Sequence, residues 1–161
     1  MMGTTYVLAG CCCAAFVLAL WVRRRLIMVA VDGSSMEPTF RSGDRILVRR
    51  TRLPRVRSQD VVVVRSLDQF LEHGMVPNND ARYMVKRAVA VPGDPIPREK
   101  VPPLASVTET SVLRGKLVLL GDNPQSYDSR HFGYYPGELL VGVAVFRLFL
   151  GRPRANGYLV N

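Results

Sequence analysis

The body of this chain has no cysteine: the three it carries, Cys11, Cys12 and Cys13, are consecutive and lie near the N terminus. Neighbours on a helix point roughly 100° apart, so three sulfurs in a row do not converge on one metal, and adjacent cysteines make poor disulfide partners. A disulfide scaffold and a cysteine metal site are thereby excluded. The three are read as small apolar helix residues, and no cofactor is expected. Histidine is almost as scarce, with only His73 and His131, so a serine nucleophile helped by histidine and a carboxylate would have to be built around His131. Acidic side chains are outnumbered 13 to 22, which leaves a net charge of +9. Such a surface is drawn to phosphate, whether of nucleic acid or of lipid. Helix-turn-helix, zinc-finger and basic-aromatic RNA patterns are absent. The arginines gather at Arg23 to Arg25, directly behind an apolar run, and from Arg45 to Arg57. Anionic membrane lipid is therefore the expected partner, and nucleic acid is not.

That apolar run, Thr4 to Val22, carries no charge. As a helix it spans about 28 Å at ~1.5 Å per residue, enough to cross the hydrocarbon core of a bilayer. Trp21 and the three arginines close it as interface anchors, an aromatic ring at headgroup level and long cations reaching water. A cleavable signal peptide would begin with basic residues and end in small ones; here no basic residue precedes the run and arginines follow it. Leu8-Ala9-Gly10-Cys11 looks like a lipoprotein processing box, but too few apolar residues precede it. Residues 1–25 are thus expected to be a retained transmembrane anchor with its basic flank. The positive-inside tendency would keep the body behind such a flank in the cytoplasm, whereas the chemistry developed below requires the opposite face.

A length of 161 residues leaves room for one domain beyond that anchor. From Leu26 onward, short runs of β-branched residues are cut by glycine, proline and aspartate, the punctuation of a mainly β, antiparallel fold. Strands are expected at Leu26 to Val31, Asp44 to Arg50, Val61 to Arg65, Met84 to Val91, Leu117 to Leu120 and Leu140 to Leu150. Gly43-Asp44, Gly93-Asp94 and Gly121-Asp122 mark turns, because glycine takes positive φ freely and aspartate caps its own turn. Ser66 to Arg82 and Arg98 to Gly115, polar or rich in proline, are expected as surface excursions. The β domain covers 26–151, and 152–161 is a loose tail.

A serine hydroxyl is a weak nucleophile until something takes its proton. Lysine does this only when its ammonium is made acidic, since at an ordinary pKa of about 10.4 roughly one molecule in a few thousand is neutral at pH 7. Burial in an apolar site supplies the shift. Lys86 stands in such a setting, Tyr83-Met84-Val85-Lys86-Arg87-Ala88-Val89, where alternation places Met84 and Lys86 on one face and Val85 and Arg87 on the other. Taken alone it reads as the wet side of an edge strand. Gly33-Ser34-Ser35-Met36-Glu37-Pro38-Thr39 sets a serine just after a strand, with Pro38 fixing the backbone beyond it. Two other serine-enzyme signatures fail here: Ser-x-x-Lys from Ser35 meets Pro38, and Gly-x-Ser-x-Gly from Gly33 meets Glu37.

Four blocks in order resemble the type I signal peptidase pattern. They are Ser35-Met36-Glu37-Pro38-Thr39; Gly43-Asp44-Arg45-Ile46-Leu47-Val48; Lys86-Arg87-Ala88-Val89-Ala90-Val91-Pro92-Gly93-Asp94; and Gly121-Asp122-Asn123 leading to Ser126-Tyr127-Asp128-Ser129-Arg130 and Gly133. The resemblance implies an antiparallel, barrel-like β catalytic domain behind one transmembrane helix, with Ser35 as nucleophile and Lys86 as general base. It further implies that Ser126 orients the Lys86 amine and that Asp128 and Arg130 form a supporting ion pair. The Ser35 N–H would stabilise the oxyanion. Some members add a serine hydroxyl two residues before the nucleophile; here that position is Gly33, which leaves a second donor to the backbone, to Ser34 or to nothing. The implied substrates are signal peptides of exported preproteins, with small side chains at the first and third positions before the cut. The implied location is the outer face of a bacterial plasma membrane or, alternatively, the mitochondrial inner membrane, with or without a homologous partner subunit. Phage-repressor-like self-cleaving proteins share the Ser-Lys chemistry but carry a DNA-binding or cleavable arm in place of a span. The rival of another class is a catalytically inactive membrane-tethered β domain that binds lipid or a protein.

Overall fold

The computed structural model describes residues 2–74 and 82–148. Along the described chain run α1 (Met2–Arg25), β1 (Leu26–Ala30), β2 (Arg45–Arg50), β3 (Val61–Arg65), α2 (Leu67–His73), β4 (Tyr83–Ala90), β5 (Lys116–Leu120), α3 (Ser129–Phe132), β6 (Tyr135–Pro136) and β7 (Leu140–Leu148). Each strand expected from the sequence forms, with β3 at its expected bounds and the described ends of β1, β2, β4 and β5 within one residue of theirs. The expected end of β7, Leu150, lies outside the described residues, as does the tail 152–161. β6 has too few residues to leave a pattern in the sequence.

The strands form one sheet in the order β1-β2-β7-β3-β4-β5-β6, and every ladder is antiparallel. The last strand, β7, inserts between β2 and β3 and ties the two halves of the body together. Register shifts at Leu47/Val48, Val63/Val64 and Ala88/Ala90 bend the sheet into a curled half-barrel, since each bulge adds local twist. The curl buries both faces. On β3, Val62 and Val64 enter one apolar cluster with Leu117, Leu119 and Tyr135, while Val63 enters another with Ile46 and Val48. Burial on both sides explains the run of four valines at Val61 to Val64, which an antiparallel strand wetted on one face would have interrupted with polar residues.

The expected excursion from Arg98 to Gly115 is more than surface loop. Val101, Leu104 and Val112 are buried with Ala90, Ile96 and Val118 in a third cluster, and a single bridge joins Pro95 to Ser111. Its apolar residues stand singly among prolines, so no period betrays them. Ser66 to Arg82 contains the short helix α2, and residues 75–81 lie outside the described set.

Helix α1 covers the predicted span and ends on Arg23, Arg24 and Arg25, cations that complement the negative end of its macrodipole. Among the described residues no helix is long and apolar enough to cross a membrane, and the side chains of 2–9, 11 and 18 lie outside that set.

Candidate active site

Ser35 lies in the turn after β1, and its position is set by its neighbours. Met36 is fully buried and Phe40 nearly so, packed with Val29, Val31, Ile46 and Val85. The turn is closed by hydrogen bonds from the Glu37 N–H to the Ser34 carbonyl at 3.0 Å and from the Phe40 N–H to the Met36 carbonyl at 2.8 Å. Asp44 caps the exit by accepting from the Arg41 N–H at 2.7 Å, where Gly43 supplies a φ of 91°. Arg147 of β7 clamps the same loop, pairing with Asp44 at 2.6 Å and donating to the Thr39 carbonyl at 2.7 Å. With Met36 and Asp44 anchored, the half-buried Ser35 side chain sits on a fixed platform.

Lys86 faces Val62 across the β3–β4 ladder. Alternation holds as predicted: Met84 and Ala88 pack into the first cluster and Val85 into the second. Val85 and Met36 therefore share an apolar cluster, which packs β4 against the turn that carries Ser35. The Lys86 side chain is 4% exposed, and Nζ donates to Ser126 Oγ at 2.6 Å. Burial lowers the Lys86 pKa; the Asp128 charge pulls it back up and Arg130 pushes it down. The net direction is the one a general base requires.

Ser126, Asp128 and Arg130 meet in one compact turn. Asp128 has no exposed surface. Burial opposes its charge, but the Arg130 guanidinium, donating from Nε at 2.9 Å and Nη2 at 2.6 Å, and the N–H groups of Gly121 and Arg130 more than compensate, so its pKa is lowered. Arg130 Nη2 also reaches the Asn123 carbonyl at 2.9 Å. Ser129 Oγ accepts from the Leu119 N–H at 2.9 Å, which fastens the turn to β5.

Gly121 is where these parts come closest. A Cβ built there would stand 2.2 Å from Ser126 Oγ and 2.4 Å from the Ser35 carbonyl oxygen, so the Ser35 backbone and the partner of the Lys86 amine touch the same glycine. The adjoining residues clasp the Ser35 turn: the Asn123 N–H donates to the Ser35 carbonyl at 3.1 Å and Asn123 Nδ2 to the Ser34 carbonyl at 3.1 Å. Asp122 takes a bidentate bond from Arg87, Nε at 2.8 Å and Nη2 at 2.6 Å, and one from Thr39 Oγ1. Arg87, Asp122, Asn123 and Thr39 thus lock the lysine strand to the serine loop. In the sequence Asp122 reads only as a turn cap, and Arg87, Asn123 and Thr39 stand in the blocks without a role of their own. The signal was there: the arginine follows the lysine directly, and the turn Gly121-Asp122-Asn123 opens the fourth block.

Among the described residues no hydrogen bond joins Lys86 to Ser35, and none uses the Ser35 N–H. His131, the histidine on which a triad would depend, is exposed. It completes the capping box of α3 with Asp128 and stacks on Tyr127 at 5.0 Å. His73 lies on α2.

The Asp128–Arg130 pair carries a testable consequence. Arg130→Gln leaves Asp128 buried without its paired cation and lowers unfolding stability by about 3 kcal/mol, the scale for breaking a buried pair, as read by urea titration. Because Asp128 contributes through a lowered pKa, its stabilisation is present above the ordinary carboxylate range and lost as pH falls through the lowered value. A wild-type urea midpoint in the variant would show the pair to be ornamental.

The family model described as signal peptidase, peptidase S26, matches residues 4–102 and 98–149. The chain is 35% identical over 144 residues to the mitochondrial ATP-independent inner membrane protease subunit 1a of Arabidopsis thaliana, a match covering 84% of this chain and 79% of that protein. It is 29% identical over 166 residues to signal peptidase I of Bacillus caldolyticus, covering 84% of each. Against signal peptidase I V of Bacillus subtilis it is 28% identical over 161 residues, covering 79% of this chain and 89% of the other. The chain belongs to the peptidase S26 signal peptidase family and is a serine endopeptidase of the type I signal peptidase kind.

Proposed function

We propose that this enzyme removes signal peptides from exported preproteins with a Ser35–Lys86 dyad, held to the membrane by α1. The observation that carries the reading is a buried lysine amine, 4% exposed, resting on Ser126 Oγ beside a glycine that also touches the Ser35 carbonyl. Neutral Lys86 Nζ takes the Ser35 proton as Oγ attacks the scissile carbonyl carbon. The Ser35 N–H, unused among the described residues, donates to the oxyanion. The protonated amine then gives its proton to the leaving nitrogen, which leaves an ester on Ser35. A water activated by the same amine hydrolyses that ester. Ser126 steers the amine through its hydroxyl, and the Asp128–Arg130 pair holds the turn that carries Ser126.

The substrate strand has a place to lie. β5 pairs with β4 only from Arg87 onward, so the backbone of Tyr83 to Lys86 has β3 on one side and no ladder partner on the other among the described residues. An extended peptide added there by strand pairing passes its carbonyls close to the Ser35 turn. The uncharged stretch of α1, with Trp21 and three arginines at its end, supports an anchor in the bilayer that also holds the substrate's signal helix, which raises the effective concentration of the cut site. The relatives come from bacterial and mitochondrial systems; the reading adopted here is the outer face of a bacterial plasma membrane.

The test is a pH–rate profile for the full-length protein in mixed micelles, with a model preprotein bearing alanine at the first and third positions before the cut. Cleavage should rise with pH through one ionisation whose midpoint lies below the ordinary lysine value of about 10.4. A midpoint at that ordinary value, or a rate indifferent to pH, removes Lys86 as the base. Failure to cleave at any pH makes the chain a tethered binding domain.

A further inference from the structure

The last turn of α1, the end of β2 and the turn at Leu53–Arg55 enclose a concave surface of about 590 Å³, with Arg25, Arg50, Arg52 and Arg55 on its walls and no acidic residue among its lining. An adjoining depression of about 370 Å³ shares three of these arginines and adds Arg49 and Trp21, again with no acid. The β1–β2 register, which pairs Leu26 with Arg49, brings Arg25 beside Arg50. Arg25 lies 5.5 Å over the ring of Trp21, a side chain 56% exposed. All five arginines are exposed, and none joins an ion pair among the described residues.

Five like charges around one hollow repel one another, and a merely solvated surface intersperses them with acids or spreads them out. A convergent guanidinium cluster instead matches the geometry of a phosphate, which several forks bind at once. The indole beside it decides the source of that phosphate. An exposed tryptophan at the end of the uncharged stretch of a helix occupies the level of lipid headgroups, and its ring suits the glycerol and upper acyl region below a phosphodiester. We infer that this hollow is a built site for the headgroup of an anionic phospholipid, bridging the last turn of α1 to β2 and so fixing how the catalytic domain stands on the bilayer. The inference rests on α1 being a membrane anchor.

Trp21 is the only tryptophan in the chain, so its fluorescence reports from the site itself. The full-length protein is reconstituted in phosphatidylcholine vesicles containing equal mole fractions of either brominated phosphatidylglycerol or brominated phosphatidylcholine. Quenching by the anionic bromolipid should be stronger by roughly twofold or more, the enrichment expected from an arginine-lined headgroup site. In an Arg50→Gln/Arg55→Gln variant that preference should vanish. Equal quenching by both lipids in the wild type, or a preference retained in the variant, overturns the proposal. If inorganic phosphate removes the preference where chloride of the same ionic strength does not, the hollow takes a free anion and the lipid assignment falls. Cleavage of a soluble peptide in detergent, unchanged in the double variant and abolished in Ser35→Ala, reports on the peptidase chemistry separately, so loss of one reading leaves the other standing.

Discussion

Ser35→Ala, Lys86→Met and the combined variant should each lose on the order of 10³ to 10⁴ of the cleavage rate, the scale of a positioned general base, with the double variant no worse than either single one. In the proposed dyad the two residues share one proton transfer, so once either is gone the other has nothing to act on, and their losses do not add. Methionine suits the test because it fills the slot of a buried lysine without a charge. The fold should survive the change. An amine that is 4% exposed and has its pKa lowered by burial costs the native state stability whenever it is protonated. The native state releases its proton at a lower pH than the unfolded chain does, so between the lowered value and the ordinary lysine range the unfolded chain binds more protons and wild-type stability rises with pH. Below the lowered value both states are charged and the cost is constant. Lys86→Met should therefore be inactive, no less stable at neutral pH, and free of that alkaline slope in its urea midpoint. A methionine variant that cleaves at more than a tenth of the wild-type rate, or a double variant that loses the product of the two single effects, ends the dyad.

Gly121→Ala should cost roughly 1–3 kcal/mol of stability by overpacking and about 100-fold in kcat/KM by moving the reacting groups by something like an ångström. The added methyl would meet Ser126 Oγ at 2.2 Å, Ser126 Cβ at 2.3 Å and the Ser35 carbonyl at 2.4 Å. One contact is the hydrogen-bond partner of Lys86 and the other is the Ser35 backbone, so relief of either clash disturbs the proposed dyad. Backbone conformation is not the reason for this glycine, because it has no positive φ, unlike Gly43 and Gly93. Gly10→Ala, with nothing within 4 Å of the new methyl, is the control. Parity of kcat/KM between Gly121→Ala and the wild type would mean that the three contacts have room to give.

The same glycine marks the border between what residues announce and what they conceal. In the sequence Gly121-Asp122 has the form of a turn, on the same footing as Gly43-Asp44 and Gly93-Asp94, and at those two the positive φ and the aspartate cap are both present. At Gly121 the aspartate turns outward to Arg87 and the glycine clears space for two distant segments, a requirement that local sequence does not express. The buried excursion containing Val101, Leu104 and Val112 escaped for a similar reason: its partners Ala90 and Val118 are supplied by β4 and β5, so the segment carries no period of its own.

Local sequence alone determined the β character of the body, the places of its main strands, the face on which Lys86 stands and the order of the four blocks, because alternation, β-branching and turn chemistry act between residues close along the chain. Tertiary structure decided the strand order with β7 in the middle, the approach of Ser126 and the Ser35 carbonyl to Gly121, the Lys86–Ser126 hydrogen bond, the Arg87–Asp122–Thr39 lock and the gathering of arginines near Trp21. Each of these depends on contacts between segments far apart in the chain. Burial, which lowers the affinity of Lys86 for its proton, exists only once those segments close around it.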